Sequence, residues 1–404
     1  MKDSLGTISA VVTMVTSMMG TGINFMPVAF QNVGYVRGII LINFVGFLTF
    51  FSLFAISVAA RMSKDSVPTY SSLASHISKY LKILVDVSTF VSCFGSNIFF
   101  YRYLAGLIQK VIVSFFGYAD ISSEMGRKAI VIAMLVPFCL LSLKKNLSSL
   151  KISSYITVLS VSYLALLMVA YCVFIGDTCS DELIKMHGPN FSSGISYFIL
   201  ALSCQANMVK TYTELNVQTV GSIVKVALGA SLFGTLIYGT VGLCGYIVFG
   251  DSIRGSVIDL LIDPSSNINI YLKKHTIDSY AISSKIACFG AIMVLFGAFP
   301  MQMNPMCEII LSYMAKDSRN VDMLWKRVIY VVMAAFLLLA LMKDLNIDTI
   351  LQFVSITAIN LTSFTYPSIY YLFAKKNVSI TTILAGVMGI GSIVSMVYMT
   401  LDIL

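Results

Sequence analysis

The apolar stretch from Thr7 to Phe30 is long enough to cross a membrane, yet Gly20-Thr21-Gly22-Ile23-Asn24 interrupts it at mid-depth before Pro27 closes it. Inside a bilayer, each backbone N–H or C=O released from a helix costs several kcal/mol unless something satisfies it, so broken helices survive where they line a cavity or hold a ligand. The glycines allow a ligand to reach the main chain, and the half-helix that follows aims its partly positive N-terminus at any anion there. The break therefore predicts a small ligand carrying a carboxylate, held midway across the membrane as in secondary transporters.

Composition sets the class. With 57% hydrophobic and only 11% charged residues, the chain reads as a polytopic membrane protein that meets lipid over most of its surface. Its net charge of +8 does not point to nucleic acid, because the Lys and Arg residues fall in short loops between apolar runs. All cysteines but Cys179 lie within or at the ends of those runs, so no disulfide framework is implied. The first span is too long for a removable signal peptide and lacks a small-residue cleavage site. No set of His, Cys or carboxylates has the spacing of a metal or catalytic centre, so the chain is not expected to be an enzyme or to hold a resident cofactor.

Apolar windows of about 20 residues, the length that crosses about 30 Å of hydrocarbon, can be laid down near 7–33, 38–60, 83–115, 129–143, 152–175, 191–213, 223–249, 281–314, 327–342, 347–373 and 378–401. With the N-terminus cytoplasmic, sixteen Lys and Arg residues fall on the inner side and eight on the outer, which predicts a cytoplasmic N-terminus and an external or lumenal C-terminus. A second break appears in the sixth window, where Ser203-Cys204-Gln205-Ala206-Asn207 sets small and polar groups at mid-depth. Interruptions in spans one and six, five apart and so of opposite orientation, predict an all-α fold of eleven transmembrane helices in a single domain. Two inverted five-helix repeats, about 7–175 and 191–373, are followed by an extra helix at 378–401.

The same residues carry a resemblance. Gly20-Thr21-Gly22-Ile23 with Pro27-Val28-Ala29-Phe30 and Gly34-Tyr35 resembles the opening motif of the amino acid/auxin permease family, which includes vacuolar and sodium-coupled neutral amino acid transporters. Further matches follow in order: Pro137 to Leu141 leading to Asn146 to Lys151, Cys204-Gln205 with Tyr212-Thr213-Glu214-Leu215, Gly242 to Gly250, Pro300 with Pro305, and Tyr366-Pro367 with Tyr370-Tyr371-Leu372. The resemblance implies an amino acid carrier working by alternating access. The substrate carboxylate would meet the amides around Gly20, Thr21 and Gly22, beside Ile23 and Asn24. Its amino group would meet carbonyls near Leu202, Ser203 and Cys204, beside Gln205. Gly95-Ser96-Asn97 and Thr362-Ser363 are the expected pocket walls. An amino-acid sensor using the same pocket is the alternative, and it would use a long cytoplasmic tail that the few residues before Thr7 do not supply.

Coupling is less legible. Sodium-coupled relatives carry an asparagine before the first-helix glycines and a hydroxyl in the eighth helix. Thr16-Ser17 and the apolar Leu295 to Phe299 stand here instead, so a coupling proton or exchange is expected rather than sodium. His76, His187 and His275 fall in loops, and Gln205 stands where the family often has histidine. Asp86, Glu214, Glu308 and Asp348 are expected to be interfacial charges near helix ends. Arg102 lies about 30 Å above Lys82 at 1.5 Å per residue, which assigns it to the outer leaflet as a snorkelling or gating residue. The expected setting is a plasma or vacuolar/lysosomal-type membrane, with the protein monomeric.

Overall fold

The computed structural model describes residues 5–144, 147–175, 184–250, 253, 255–263, 265–274, 279–314, 320–342 and 347–403. Among them the only β feature is a bridge between Leu5 and Leu215. The first span is two half-helices, α1 (Thr7–Met18) and α2 (Gly22–Val33), bent by 61°. α3 (Tyr35–Met62) follows after Gly34, whose φ of +86° and close contact with the Met186 carbonyl leave room for glycine alone. A short α4 (Tyr70–Ser75), closed by a Thr69/Ser72 capping box, precedes the long α5 (Lys79–Phe116), α6 (Glu124–Ser142) and α7 (Lys151–Ile175).

The sixth span is again split, into α8 (Phe191–Ala201) and α9 (Gln205–Glu214). α10 (Val220–Phe249), the short α11 (Val257–Ile262) and α12 (Asn267–Lys274), α13 (Ser279–Met314) and α14 (Val321–Leu341) come next. The segment expected as the tenth span is irregular: α15 (Ile347–Val354) runs through two π turns, Ser355–Ile359 and Leu361–Thr365, into α16 (Tyr366–Ala374), before α17 (Ile380–Ile403). Asn360, between the π turns, donates to the Ser392 carbonyl at 3.1 Å and ties the irregular segment to α17. Eight of these helices are long and apolar enough to cross a membrane, nine with the bent α1/α2 pair. Apolar residues such as Leu159, Leu166, Val331 and Val387 remain exposed on their outer faces, where lipid replaces water as solvent.

Three expectations are corrected. The first break is Met19 to Thr21, not Gly20 to Asn24, since Gly22, Ile23 and Asn24 already form the first turn of α2. Pro27 does not close the span. It sits inside α2, where its missing N–H costs one bond to Ile23, and its ring packs on Gly245 of α10. The second break is Leu202 to Cys204, with Gln205 through Asn207 inside α9.

Packing follows from where small residues stand. α10 lies against α1, α2, α3 and α7, while α13 lies against α5 and α7. Proline in α13 is put to use: Pro305 cannot bond the Met301 carbonyl, and Asn207 of α9 donates to that carbonyl at 2.9 Å. At the opposite end of the chain order, Leu5 donates to the Glu214 carbonyl at 2.7 Å and accepts from Asn216 at 3.0 Å, pinning the N-terminal segment to the end of α9.

Candidate functional site

Both breaks face one small cavity. Met18, Gly20, Thr21 and Gly22 form one wall, Leu200 and Ser203 another, and Ser92, Ser96 and Phe100 of α5 a third. Gln302 of α13 and Ile359 of the first π turn complete a lining that encloses about 30 Å³. Ser92, Ser96 and Phe100 recur every four residues and so share one face of α5.

The broken backbone is supported from α10. Met19 leaves helical conformation at φ −73°, ψ 106°, which frees the Met18 carbonyl. Tyr238, fully buried, donates its hydroxyl to that carbonyl at 2.8 Å. One turn earlier, Gly234 sits beneath both breaks: an added Cβ would lie 2.9 Å from the Met18 sulfur and 3.2 Å from Leu202 Cδ2. At the second break, Thr49 donates to the Leu202 carbonyl at 3.4 Å, and the Gln205 side chain accepts from the Cys204 amide at 2.8 Å while donating to Ser52 at 3.0 Å. Among the described residues, the amides of Gly20, Thr21, Gly22 and Ile23 donate to no backbone carbonyl, as expected for the start of a helix.

The two glycines differ in what they permit. A Cβ on Gly20 would meet the Phe100 ring at 2.5 Å, so Gly20 makes room for a side chain at the cavity wall. A Cβ on Gly22 would meet Ala201 Cα at 3.0 Å, so Gly22 brings the two half-helices into main-chain contact. Of the residues singled out in the sequence, Gly20, Thr21, Gly22, Ser96 and Ser203 line the cavity. Ile23, Asn24, Leu202, Cys204 and Gln205 do not line it, and the Gln205 side chain caps the Cys204 amide. Asn97 is fully buried on a neighbouring face of α5, and neither of its amide atoms has a hydrogen-bond partner. Gly95 packs on Val354, and Ser363 pairs with Ser203 at 2.9 Å.

Phe100, Gln302, Tyr238 and Thr49 were not foreseen. The four-residue recurrence on α5 and the two amides, Gln302 and Asn304, between Pro300 and Pro305 were the available signals. Nothing local marks Tyr238 or Thr49, whose partners lie 220 and 153 residues away.

Charge is kept outside the cavity. Asp86, expected at an interface, is buried, and its carboxylate accepts from Lys82 and Tyr313, each at 2.7 Å. Glu308 pairs with Lys210 at 2.6 Å beside a larger cavity of about 1080 Å³, which Arg61, Asp65, Tyr70 and Glu214 also line. Glu214 accepts from the Leu147 amide at 3.1 Å. Arg102 of α5 does not line the cavity, and its buried Nη1 has no hydrogen-bond partner. His76 pairs with Asp65 at 3.0 Å and His187 is exposed, while His275 and the side chain of Asp348 lie outside the described residues. Phe25 of α2 packs against Phe99, Tyr103 and Tyr197 with ring centroids 5.8, 5.5 and 6.1 Å away.

Residues 3–401 match the family described as transmembrane amino acid transporter protein, which spans nearly the whole chain. This chain belongs to that family. Among its relatives in the transmembrane amino acid transporter family, it is 26% identical to vacuolar amino acid transporter 5 of Schizosaccharomyces pombe over 92% of this chain and 85% of that protein. It is 25% identical to vacuolar amino acid transporter 6 of Saccharomyces cerevisiae over 78% and 68%. Identity to rat solute carrier family 38 member 10 is 24% over 97% of this chain, which spans 35% of that longer protein. The fold is that of solved transporters. MhsT in complex with L-phenylalanine superposes with a TM-score of 0.68 at 12% identity over 98% of both chains. The nucleobase-cation-symport-1 family transporter Mhp1, in a closed conformation with bromovinylhydantoin bound, gives 0.62 at 13% identity over 94% of this chain and 81% of that one.

Proposed function

We propose that this member of the transmembrane amino acid transporter family is a carrier that moves amino acids by alternating access, with the substrate held in the cavity between the two helix breaks. The observation that carries this reading is the meeting of both breaks at one polar cavity, beside the first amides of α2, Gly22 and Ile23, which donate to no backbone carbonyl. The aromatic cluster around Phe25 then forms the outer closure and the charged vestibule at Lys210 and Glu308 the inner approach. Coupling runs by a proton or by exchange rather than sodium: the segment Leu295 to Phe299 offers no hydroxyl, and Phe299 stacks on Phe138 at 3.9 Å. The similarity to vacuolar transporters favours a vacuolar-type membrane, and the charge bias a cytoplasmic N-terminus. The carrier works as a monomer.

The test is uptake of labelled amino acids into liposomes holding the purified protein, under imposed proton and sodium gradients in turn. Accumulation with the proton gradient, or counterflow with neither gradient, is the expected result. Strict dependence on sodium would overturn the coupling assignment. Absence of uptake while amino acids still raise the melting temperature would favour a sensor.

A further inference from the structure

Resting on the reading that the cavity between the breaks is the substrate site, we propose that Phe100 and Gln302 restrict it to small, uncharged amino acids and favour a hydroxyl-bearing side chain over an apolar one of equal size. Neither residue lies in a break, and neither belongs to the motifs that carry the family resemblance.

Charge is the first filter. Among the described residues no Lys, Arg, Asp, Glu or His lines the cavity, so an ionised side chain entering it would lose its water and meet no counterion there. Size is the second. About 30 Å³ holds two or three water-sized groups, less than any whole amino acid, so a substrate has to push a wall aside and the smallest ones displace it least. Phe100 sets that limit, because its ring, only 5% exposed, is the part of α5 that lies directly on Gly20. The ring is the far end of a flexible side chain, so it can swing aside, but every added substrate carbon displaces it further from well-packed surroundings.

Hydrogen bonding is the third filter. The Ser92 hydroxyl already donates to the Thr89 carbonyl at 3.0 Å, and the Ser203 hydroxyl is shared with Ser363 at 2.9 Å. Thr21 and Ser96 add hydroxyls to the wall, and among the described lining residues Gln302 is the only primary amide, a side chain that offers both donors and an acceptor. Pro300 and Pro305 flank it on α13. A hydroxyl on the substrate would answer that amide, whereas a methyl group would leave it unpaired.

Initial uptake rates of labelled glycine, alanine, serine, leucine, phenylalanine, glutamate and arginine into proteoliposomes test this with wild type, Phe100→Ala, Phe100→Leu and Gln302→Leu. For wild type, serine should exceed leucine by at least about tenfold, with glutamate and arginine at background. Phe100→Ala should shrink the serine-to-leucine ratio by about tenfold, with Phe100→Leu intermediate, and Gln302→Leu should lower the serine-to-alanine ratio by at least about threefold. Ratios within one preparation are not moved by a general loss of folded protein, and if Phe100→Ala does not fold, Phe100→Leu decides. A wild type that prefers leucine, glutamate or arginine overturns the inference but leaves the carrier reading intact, as do unchanged ratios in the variants. A wild type that takes up none of the seven overturns the carrier reading itself, and this inference with it.

Discussion

Replacing Tyr238 with Phe probes the reason a broken helix can exist in this fold at all. The Met18 carbonyl loses its helical partner at the first break, and the Tyr238 hydroxyl, 2.8 Å away in a fully buried position, takes that role. Phenylalanine keeps the ring and removes only the donor. A buried acceptor left without a partner costs about 1–3 kcal/mol, which is roughly a five- to 150-fold shift of the folding equilibrium. Tyr101→Phe is the control. Tyr101 makes an equally buried bond, 2.7 Å to the Val131 carbonyl, but that carbonyl sits inside α6 and retains its helical donor. Its loss should cost only about 0.5–1.5 kcal/mol. Unfolding of the purified variants in detergent, followed by helical circular dichroism, gives the two differences directly. Tyr238→Phe costing no more than Tyr101→Phe would refute the idea that α10 supplies the missing hydrogen bond.

Further outcomes follow from the same geometry. Gly22→Ala, whose methyl meets main-chain atoms of Ala201 at 3.0 Å, should destabilise the protein by about 1–3 kcal/mol in the same unfolding assay. Gly20→Ala meets only the movable Phe100 ring, so it should lower uptake more than stability, and a fall in melting temperature as large as that of Gly22→Ala would contradict the distinction. Gln205→Ala strips the Cys204 amide of its acceptor and should cost about 1–3 kcal/mol; a change in substrate selectivity instead would show that Gln205 reads the substrate. In the loop before α4, hydrogen bonds from Ser72 and then His76 hold the Asp65 carboxyl below its usual range. A depressed carboxyl pKa stabilises the fold above the unfolded value of about 3.9 and loses that contribution as pH falls through the lower folded value. Melting temperature measured as pH drops below about 4 should therefore fall less steeply in Asp65→Asn than in wild type.

Much of the architecture was legible because a bilayer leaves a chain few choices. An apolar run of sufficient length has to be helical, and a polar, glycine-rich interruption within it has to be satisfied, so spans one and six announced themselves. Their limits were displaced by a few residues. Gly22 to Asn24 and Gln205 to Asn207 look like irregular backbone by composition, yet a helix N-terminus also favours small and polar residues, and the chain resumes helical form there. Pro27 misled for a similar reason, because a helix tolerates proline where a neighbour such as Gly245 can receive its ring. The irregular turns around Asn360 left no comparable signal, since their hydrogen bonds are made with α17, 32 residues further on.

Asn97 marks the limit of reading polarity as function. Ser96 and Asn97 are both polar and both expected as pocket walls, but about 100° of helical rotation separates them and Ser96 alone of the two lines the cavity. Asp86 and Glu308 carry the same lesson for charge, since one is buried against Lys82 and Tyr313 and the other bridges to Lys210. By itself, the sequence determined that the chain crosses a membrane as helices, where two of those helices break, and the family to which it belongs, because hydropathy, backbone satisfaction and local motifs are properties of neighbouring residues. Only the tertiary structure decided that the breaks share one cavity, that Tyr238 and Thr49 answer the freed carbonyls, and that Phe100 and Gln302 complete the wall. Those facts depend on the rotation and depth of helices packed across more than a hundred residues of chain, which no local pattern encodes.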